Sequence, residues 1–235
     1  LKEDLAFPAG IQVNGGGFIN ASGVTLTTGT PVMNSGNLES FRVGDGKVHI
    51  EGLGLDTRTA DYTAILARAV EVNAGLWAKD LTVVTGTNEV KALASGAAAQ
   101  ATRIASSGSE PTPYFMLDVA AIGGMYAGKI YLVGTEAGLG VNNRGSLIAQ
   151  EDEWVLKADG SLVNTGKAQA KGDLSVQTTS VENTAGGEIG SGATTRITVT
   201  GDLNNRGLID GKTTQVKAQA VNNIGTGRLY GDTLA

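Results

Sequence analysis

The sequence predicts an all-β chain wound as a β-helix of about ten coils, and three observations carry that expectation. Glycine is over-used, at 35 of 235 residues, about twice the usual roughly 7%, and it follows no collagen-like period. Short Asn-turn-Gly units recur about every 20 residues through the second half. Between them, apolar and polar residues alternate with period two, which puts the aliphatic side chains on one face of a strand.

The first half carries short alternating strands beside Gly or Asn, at Ile11/Val13, Val24/Leu26, Val48/Ile50, Leu81/Val83 and Ile130/Leu132. Asp61 to Val72 is ambiguous. Ile65, Leu66, Ala69 and Val70 have helical spacing, yet a strand from Ile65 to Val72 would bury apolar side chains equally well, so both readings stay open. Residues 95–113, rich in Ala, Ser, Thr and Pro with little periodicity, read as a flexible loop extruded from the rod.

The repeat proper runs through Asn143-Arg144-Gly145, Asn164-Thr165-Gly166, Asn183 to Gly186, Asn205-Arg206-Gly207 and Asn223-Ile224-Gly225, with Asn-to-Asn steps of 21, 19, 22 and 18. An aliphatic residue stands two positions before each Asn, at Val141, Leu162, Val181, Leu203 and Val221. Twenty residues at about 3.3 Å each make two or three short strands with corners. That closes one turn of a solenoid, whereas a propeller blade needs roughly 40 to 45 residues. The corner asparagines are read as structural: Asn tolerates left-handed backbone angles, and its amide can bond the backbone or stack on the Asn of the next coil. With aromatics at 5%, the lumen is expected to be narrow and aliphatic.

Composition narrows the function classes. Hydrophobic residues at 41%, charged residues at 17% and a net charge of -5 allow a core and do not match the profile of disorder. Eighteen basic residues scattered among 23 acidic ones argue against nucleic acid as a partner. No apolar run reaches the roughly 18 residues of a membrane helix. The N-terminus lacks a signal-peptide layout, so the chain reads as an interior fragment.

Site chemistry is thin. There is no Cys and one His, which removes disulfides, thiolate metal sites and, in practice, a Ser-His-Asp triad, whose base would have to be His49. His49 alternates to the face opposite Val48 and Ile50 and reads as a surface residue. Gly211-Lys212-Thr213 misses the phosphate-loop spacing by one residue from Gly207. Glu151-Asp152-Glu153 reads as a solvated corner, Gly15-Gly16-Gly17 lacks the Asp of a calcium-binding nonapeptide, and the sequon Asn20-Ala21-Ser22 reads as chance. No catalytic, cofactor-binding or metal-binding residue is expected.

Three stretches resemble a known family, the large exoproteins of Gram-negative two-partner secretion typified by filamentous haemagglutinin-like adhesins and contact-dependent growth inhibition proteins. The first is Phe7 to Asn20 with Val24 to Gly29, similar to the family's secretion signature around Asn-Pro-Asn-Gly-Ile. Pro8, Gly10 and Ile11 match that motif, while Phe7 and Ala9 stand where the family commonly has Asn. The second is Ala69 to Gly86, and the third is Gly123 to Ile130 through Leu132 to Gly138. The resemblance implies a right-handed parallel β-helix, with residues 1–94 as the C-terminal part of the secretion domain, 95–113 as the loop and 114–235 as filamentous-haemagglutinin-type repeats. It further implies export through an outer-membrane β-barrel transporter, display at or release from the bacterial surface, and no catalysis in this region.

The function expected on these grounds is a non-catalytic segment of a secreted rod, used for adhesion through a receptor on a host or neighbouring cell, or as the stalk of a contact-dependent growth inhibition toxin. Open strand ends at the rod's termini would permit end-to-end self-association. The alternative from another class is a polysaccharide-active lyase or glycoside hydrolase on the same scaffold, which would need charged side chains converging in a cleft.

Overall fold

Alternation and frequent corners produce a parallel β-helix, as seen in a computed structural model that describes residues 1–93, 99–105 and 111–235. No helix occurs among the described residues. Three strand faces enclose one lumen. The first face stacks Ile11–Asn14, Lys47–Ile50, Ala69–Val72, Phe115–Val119, Gly140–Asn143, Ser161–Asn164, Ser180–Asn183, Asp202–Asn205 and Ala220–Asn223, each parallel to the next. The second runs from Gly16–Gly17 through Leu55–Asp56, Leu76–Ala78 and Met125–Ala127 to Leu208–Asp210 and Arg228–Leu229. The third is the tallest, ten strands from Lys2–Ala6 to Thr233–Leu234.

In-register stacking makes each inward position a column. Val48, Val70, Leu117, Val141, Leu162, Val181 and Leu203 line one column of the first face, and all are buried. Leu26, Ile65, Val83, Leu132, Leu156, Val176 and Ile197 do the same on the third. One aromatic enters the lumen against expectation: Trp154 is fully buried in the column between Ile130 and Leu174. Alanines on the second face, at positions 149, 168 and 170, belong to the same core.

The ambiguous stretch from Asp61 to Val72 is resolved as strand. Tyr62–Ala67 lies between Gly23–Thr27 and Gly75–Thr85, and Ala69–Val72 lies between Lys47–Ile50 and Phe115–Val119. Pairing on both sides satisfies the backbone groups of the neighbouring coils, which a helix bonded only within itself would leave open.

A second, antiparallel sheet of Thr30–Asn34, Asn37–Val43, Asn88–Lys91 and Ala101–Arg103 leaves the helix and folds over its third face. Ser35 and Gly36 make its two-residue hairpin, both with positive φ, at 49° and 84°. The outer side of the third face is apolar here: Ala64, Leu66 and Val84 pack against Phe41, Val43 and Val90 in a second core. Part of the expected loop is therefore ordered strand, since Ala101–Arg103 pairs with Asn88–Val90. The rest of the expected loop at 95–98 and 106–110 lies outside the described residues.

Phe41 is 1% exposed and joins the two sheets. Phe41→Ala is expected to cost about 3–5 kcal/mol and to loosen the antiparallel sheet alone. Limited proteolysis should then cut between residues 29 and 46 while the repeats from 140 onward stay protected.

Candidate functional site: the motif corner and the asparagine column

Pro8, Gly10 and Ile11 build the corner between the third and first faces in the first coil. Gly10 N–H donates to the Phe7 carbonyl at 3.0 Å, and Phe7 N–H to the Thr27 carbonyl of the coil that follows at 2.9 Å. Gly10 takes a φ of +124° and lies against the Lys47 carbonyl. Ile11 then begins the first face in register with Val48. The Pro8 carbonyl presses on Gly46, where a Cβ would come within 2.6 Å of it at a φ of +83°. The motif thus shapes a corner that closes against the next coil, and its fit requires glycine on both sides.

The same corner carries a buried charge group that the sequence reading missed. Arg68, 4% exposed, sits between the strands at 62–67 and 69–72 and forms ion pairs with Asp45 at 3.3 Å and with Glu136 at 3.1 Å, tying three coils together. The hydrogen bonds that Arg68 donates to Glu136, then the charge of Glu136 and the hydrogen bond to and charge of Asp45, raise the guanidinium above its ordinary range against the cost of burial. Beside it is a cleft of about 560 Å³ lined by Asp45, Lys47, Arg68, Glu71 and Asp118 together with 111–115. Its charges pair between coils, Lys47 with Glu71 and Asp118 with Arg144.

At the opposite end of the first face, the five predicted asparagines fall into one column. Each amide Nδ2 donates to the Oδ1 of the next: Asn143 to Asn164, Asn164 to Asn183, Asn183 to Asn205 and Asn205 to Asn223, every bond 2.8 Å. The amides also donate across the corner to main-chain carbonyls of Lys167, Glu188, Leu208 and Arg228. The first four are fully buried, and Asn223 is exposed. None has positive φ. Of the two properties expected of a corner Asn, the structure uses the amide bonding and not the left-handed backbone.

The partnering glycines act by close approach. A Cβ on Gly166 would strike the Gly145 carbonyl, and one on Gly207 the Gly187 carbonyl. In the longer corners the packed glycines are Gly187 and Gly227, one or two residues beyond the Gly186 and Gly225 read from the repeat. Those corners insert a turn, closed by Gly187 N–H to Thr184 and Gly227 N–H to Ile224.

The column extends beyond its asparagines. Upstream, the same inward position is held by Val13, Ile50, Val72 and Val119, in register with Asn143. The change from aliphatic to amide occurs in one step, and the Oδ1 of Asn143, facing that step, has no hydrogen-bond partner among the described residues.

Other sequence candidates are unremarkable. His49 points outward and contacts Asn73 through Nε2 at 2.8 Å. Glu153 pairs with Lys129, and no group of three or more His, Cys, Asp or Glu could hold a metal among the described residues. Asp80 lies in register with Lys129. Burial pushes its carboxyl above the ordinary range, Lys129 opposes that shift, and Asp152 and Glu153 add to it.

A family model described as the TPS secretion domain matches residues 5–164, on both sides of the 95–113 segment. The chain is 44% identical over 190 residues to a protein named Toxin CdiA from Yersinia pestis, covering 81% of this chain and 6% of that one. It is 44% identical over 167 residues to the tRNA nuclease CdiA-2 of Burkholderia pseudomallei strain 1026b, covering 71% and 5%. The crystal structure of a filamentous hemagglutinin secretion domain superposes with a TM-score of 0.54 at 27% identity, covering 93% of this chain and 65% of that chain. The chain spans a small fraction of these toxins, and the matched region is the secretion domain and not a catalytic toxin domain.

Removing one amide from the middle of the ladder strands buried donors and acceptors in two coils. Asn183→Ala should cost about 2–4 kcal/mol by chemical denaturation, and Gly166→Ala should destabilise as well because backbone opposes the added methyl. Asp80, whose carboxyl is raised in the folded state, favours folding below its unfolded pKa, and that contribution is lost as pH rises through the folded value. Asp80→Asn should accordingly flatten the decline in stability as pH rises above the ordinary carboxylate range; an unchanged pH profile would contradict the burial argument.

Proposed function

The chain belongs to the TPS secretion-domain family, and on that premise we propose that it is an exported, non-catalytic segment of a large two-partner exoprotein of a Gram-negative bacterium. Its partner in this reading is an outer-membrane β-barrel transporter, and its destination is the cell surface or the medium. The observation that carries the proposal is the parallel strand stack that runs from Lys2 to Leu234 among the described residues, within which the family match at 5–164 and the asparagine ladder overlap.

The rod supplies a direction to export. Each emerging coil finds a strand edge already in register, adds its aliphatic residues to the lumen and, from residue 143 onward, adds an amide to the ladder. Stability then grows with each nearest-neighbour interface, so each folded coil opposes sliding back by the burial and hydrogen bonds it would lose. In this reading residues 1–94 are the C-terminal part of the secretion domain, with the motif corner and three of the four antiparallel strands, and 114–235 are filament-type repeats, with the family match running on into them to residue 164. Downstream, the rod serves adhesion to a host or neighbouring cell or carries a contact-dependent growth inhibition toxin, as the relatives named CdiA suggest. The open ends offer a route to self-association.

The alternative of a polysaccharide-active enzyme would place its chemistry in the cleft beside Arg68. The charges there are engaged in inter-coil pairs, which suits a structural corner better than a site awaiting substrate.

Export is testable by co-expressing the chain, behind a Sec signal, with the cognate transporter and measuring its appearance in the medium. Gly10→Val and Gly46→Val, which distort the motif corner, should reduce secretion about tenfold or more, while Ile19→Ala at a 90% exposed position should not. Equal export of all variants, or export without the transporter, would overturn the proposal. Serial C-terminal truncations should lose stability coil by coil, and a length-independent unfolding free energy would contradict the ratchet.

A further inference from the structure

The second face carries a feature that neither export nor the lumen uses. Trp77 and Tyr126 are 49 residues apart in sequence yet occupy neighbouring strands, in register and pointing outward. Their ring centroids are 6.2 Å apart and their planes differ by 16°. Each ring folds back over the glycine two residues before it. A Cβ on Gly75 would collide with the Trp77 indole, one on Gly124 would lie 2.8 Å from the Tyr126 ring, and Gly54 leaves room under the indole's far edge. One side of each ring is seated on backbone, both residues are partly exposed, and the other sides form a flat strip along the rod axis.

We propose that Trp77 and Tyr126 form a binding platform for a neutral pyranose oligosaccharide lying along the rod. The C–H edges of a pyranose carry partial positive charge and stack on the negative faces of aromatic rings, and two near-parallel rings on successive coils suit consecutive sugar units. Polar groups close the strip at both ends. Asp56 stands in register with Trp77 on the preceding coil, and Gln169 lies two coils beyond Tyr126, past Ile148. Arg58 grips Asp56 through two side-chain hydrogen bonds and holds its carboxyl below the ordinary range, which keeps it an acceptor for sugar hydroxyls.

Charge selects the class of ligand. The charged groups beside the rings are paired with one another, Asp56 with Arg58 and Lys79 with Asp61. A sulfated polymer or an anionic lipid surface finds no uncompensated cation there, whereas hydroxyls can bridge paired charges. The platform is independent of the transporter reading, because it lies on a different face from the motif corner.

Fluorescence isolates the site, since the second tryptophan, Trp154, is fully buried in the lumen. The chain would be titrated with cellohexaose and with maltohexaose, and with a heparin hexasaccharide as the charged comparison. The expected result is a saturable change in emission with at least one neutral hexasaccharide. It should be insensitive to salt, retained in Trp154→Phe and weakened about tenfold or more in Tyr126→Leu, which keeps the apolar cover over Gly124 and removes the aromatic face. Calorimetry on Trp77→Leu should show the same loss, with circular dichroism and export unchanged. No saturable response to either neutral sugar, full binding by Tyr126→Leu, or binding only to the sulfated probe would overturn the proposal. So would quenching of Trp77 by the transporter's purified periplasmic part without any response to sugars, which would assign the strip to a protein partner.

Discussion

Parallel pairing of each coil with the next, in fixed register, is the constraint on which the rest of this structure depends. Backbone hydrogen bonds between successive coils set residues about one repeat apart directly above one another. Every inward side chain therefore has the same two vertical neighbours, and every corner must clear the corner before it. The stacked glycines follow from this, because at Gly166 and Gly207 the approaching atom is a carbonyl of the adjacent coil and cannot yield. The asparagine ladder follows as well. A buried primary amide is costly alone, but in a column each amide meets its neighbour's oxygen and a corner carbonyl, so the polar spine is satisfied by its own repetition.

That self-satisfaction ends where the repetition does. Between Val119 and Asn143 one column passes from aliphatic to amide, and the first Oδ1 has no partner among the described residues. Trp154, at the start of the next coil, adds a large ring to a lumen filled mainly by Val, Ile, Leu, Ala and Met, and its indole N–H likewise has no partner among the described residues. Two kinds of rod are joined here. The upstream one gains stability from dispersion and burial in the lumen and from a second core under the antiparallel sheet. The downstream one adds a directional chain of hydrogen bonds whose last donor side faces the C-terminal end.

The lumen makes the coils interchangeable, so individuality is confined to the outer surface. On the third face, apolar Ala64, Leu66 and Val84 receive the antiparallel sheet. At one corner, Arg68 bonds carboxylates from an earlier and a later coil. On the second face, glycines let two aromatic rings lie flat. Each of these devices draws on residues from different coils, and each is available for recognition without disturbing the stack that carries it.

Local periodicity was enough to read the solenoid, the inward aliphatic residues and the five asparagines, because a coil's own alternation and its corner residues are written within twenty positions. It could not choose between helix and strand for Asp61 to Val72, where the deciding partners are Gly23–Thr27 and Phe115–Val119. Nor could it pick Gly187 over Gly186, find Arg68 in an apolar run, or bring Trp77 to Tyr126. Those facts depend on how many residues each corner and insertion consumes before the chain returns to the same face. Only the closed stack, with its vertical hydrogen bonds, determines that count.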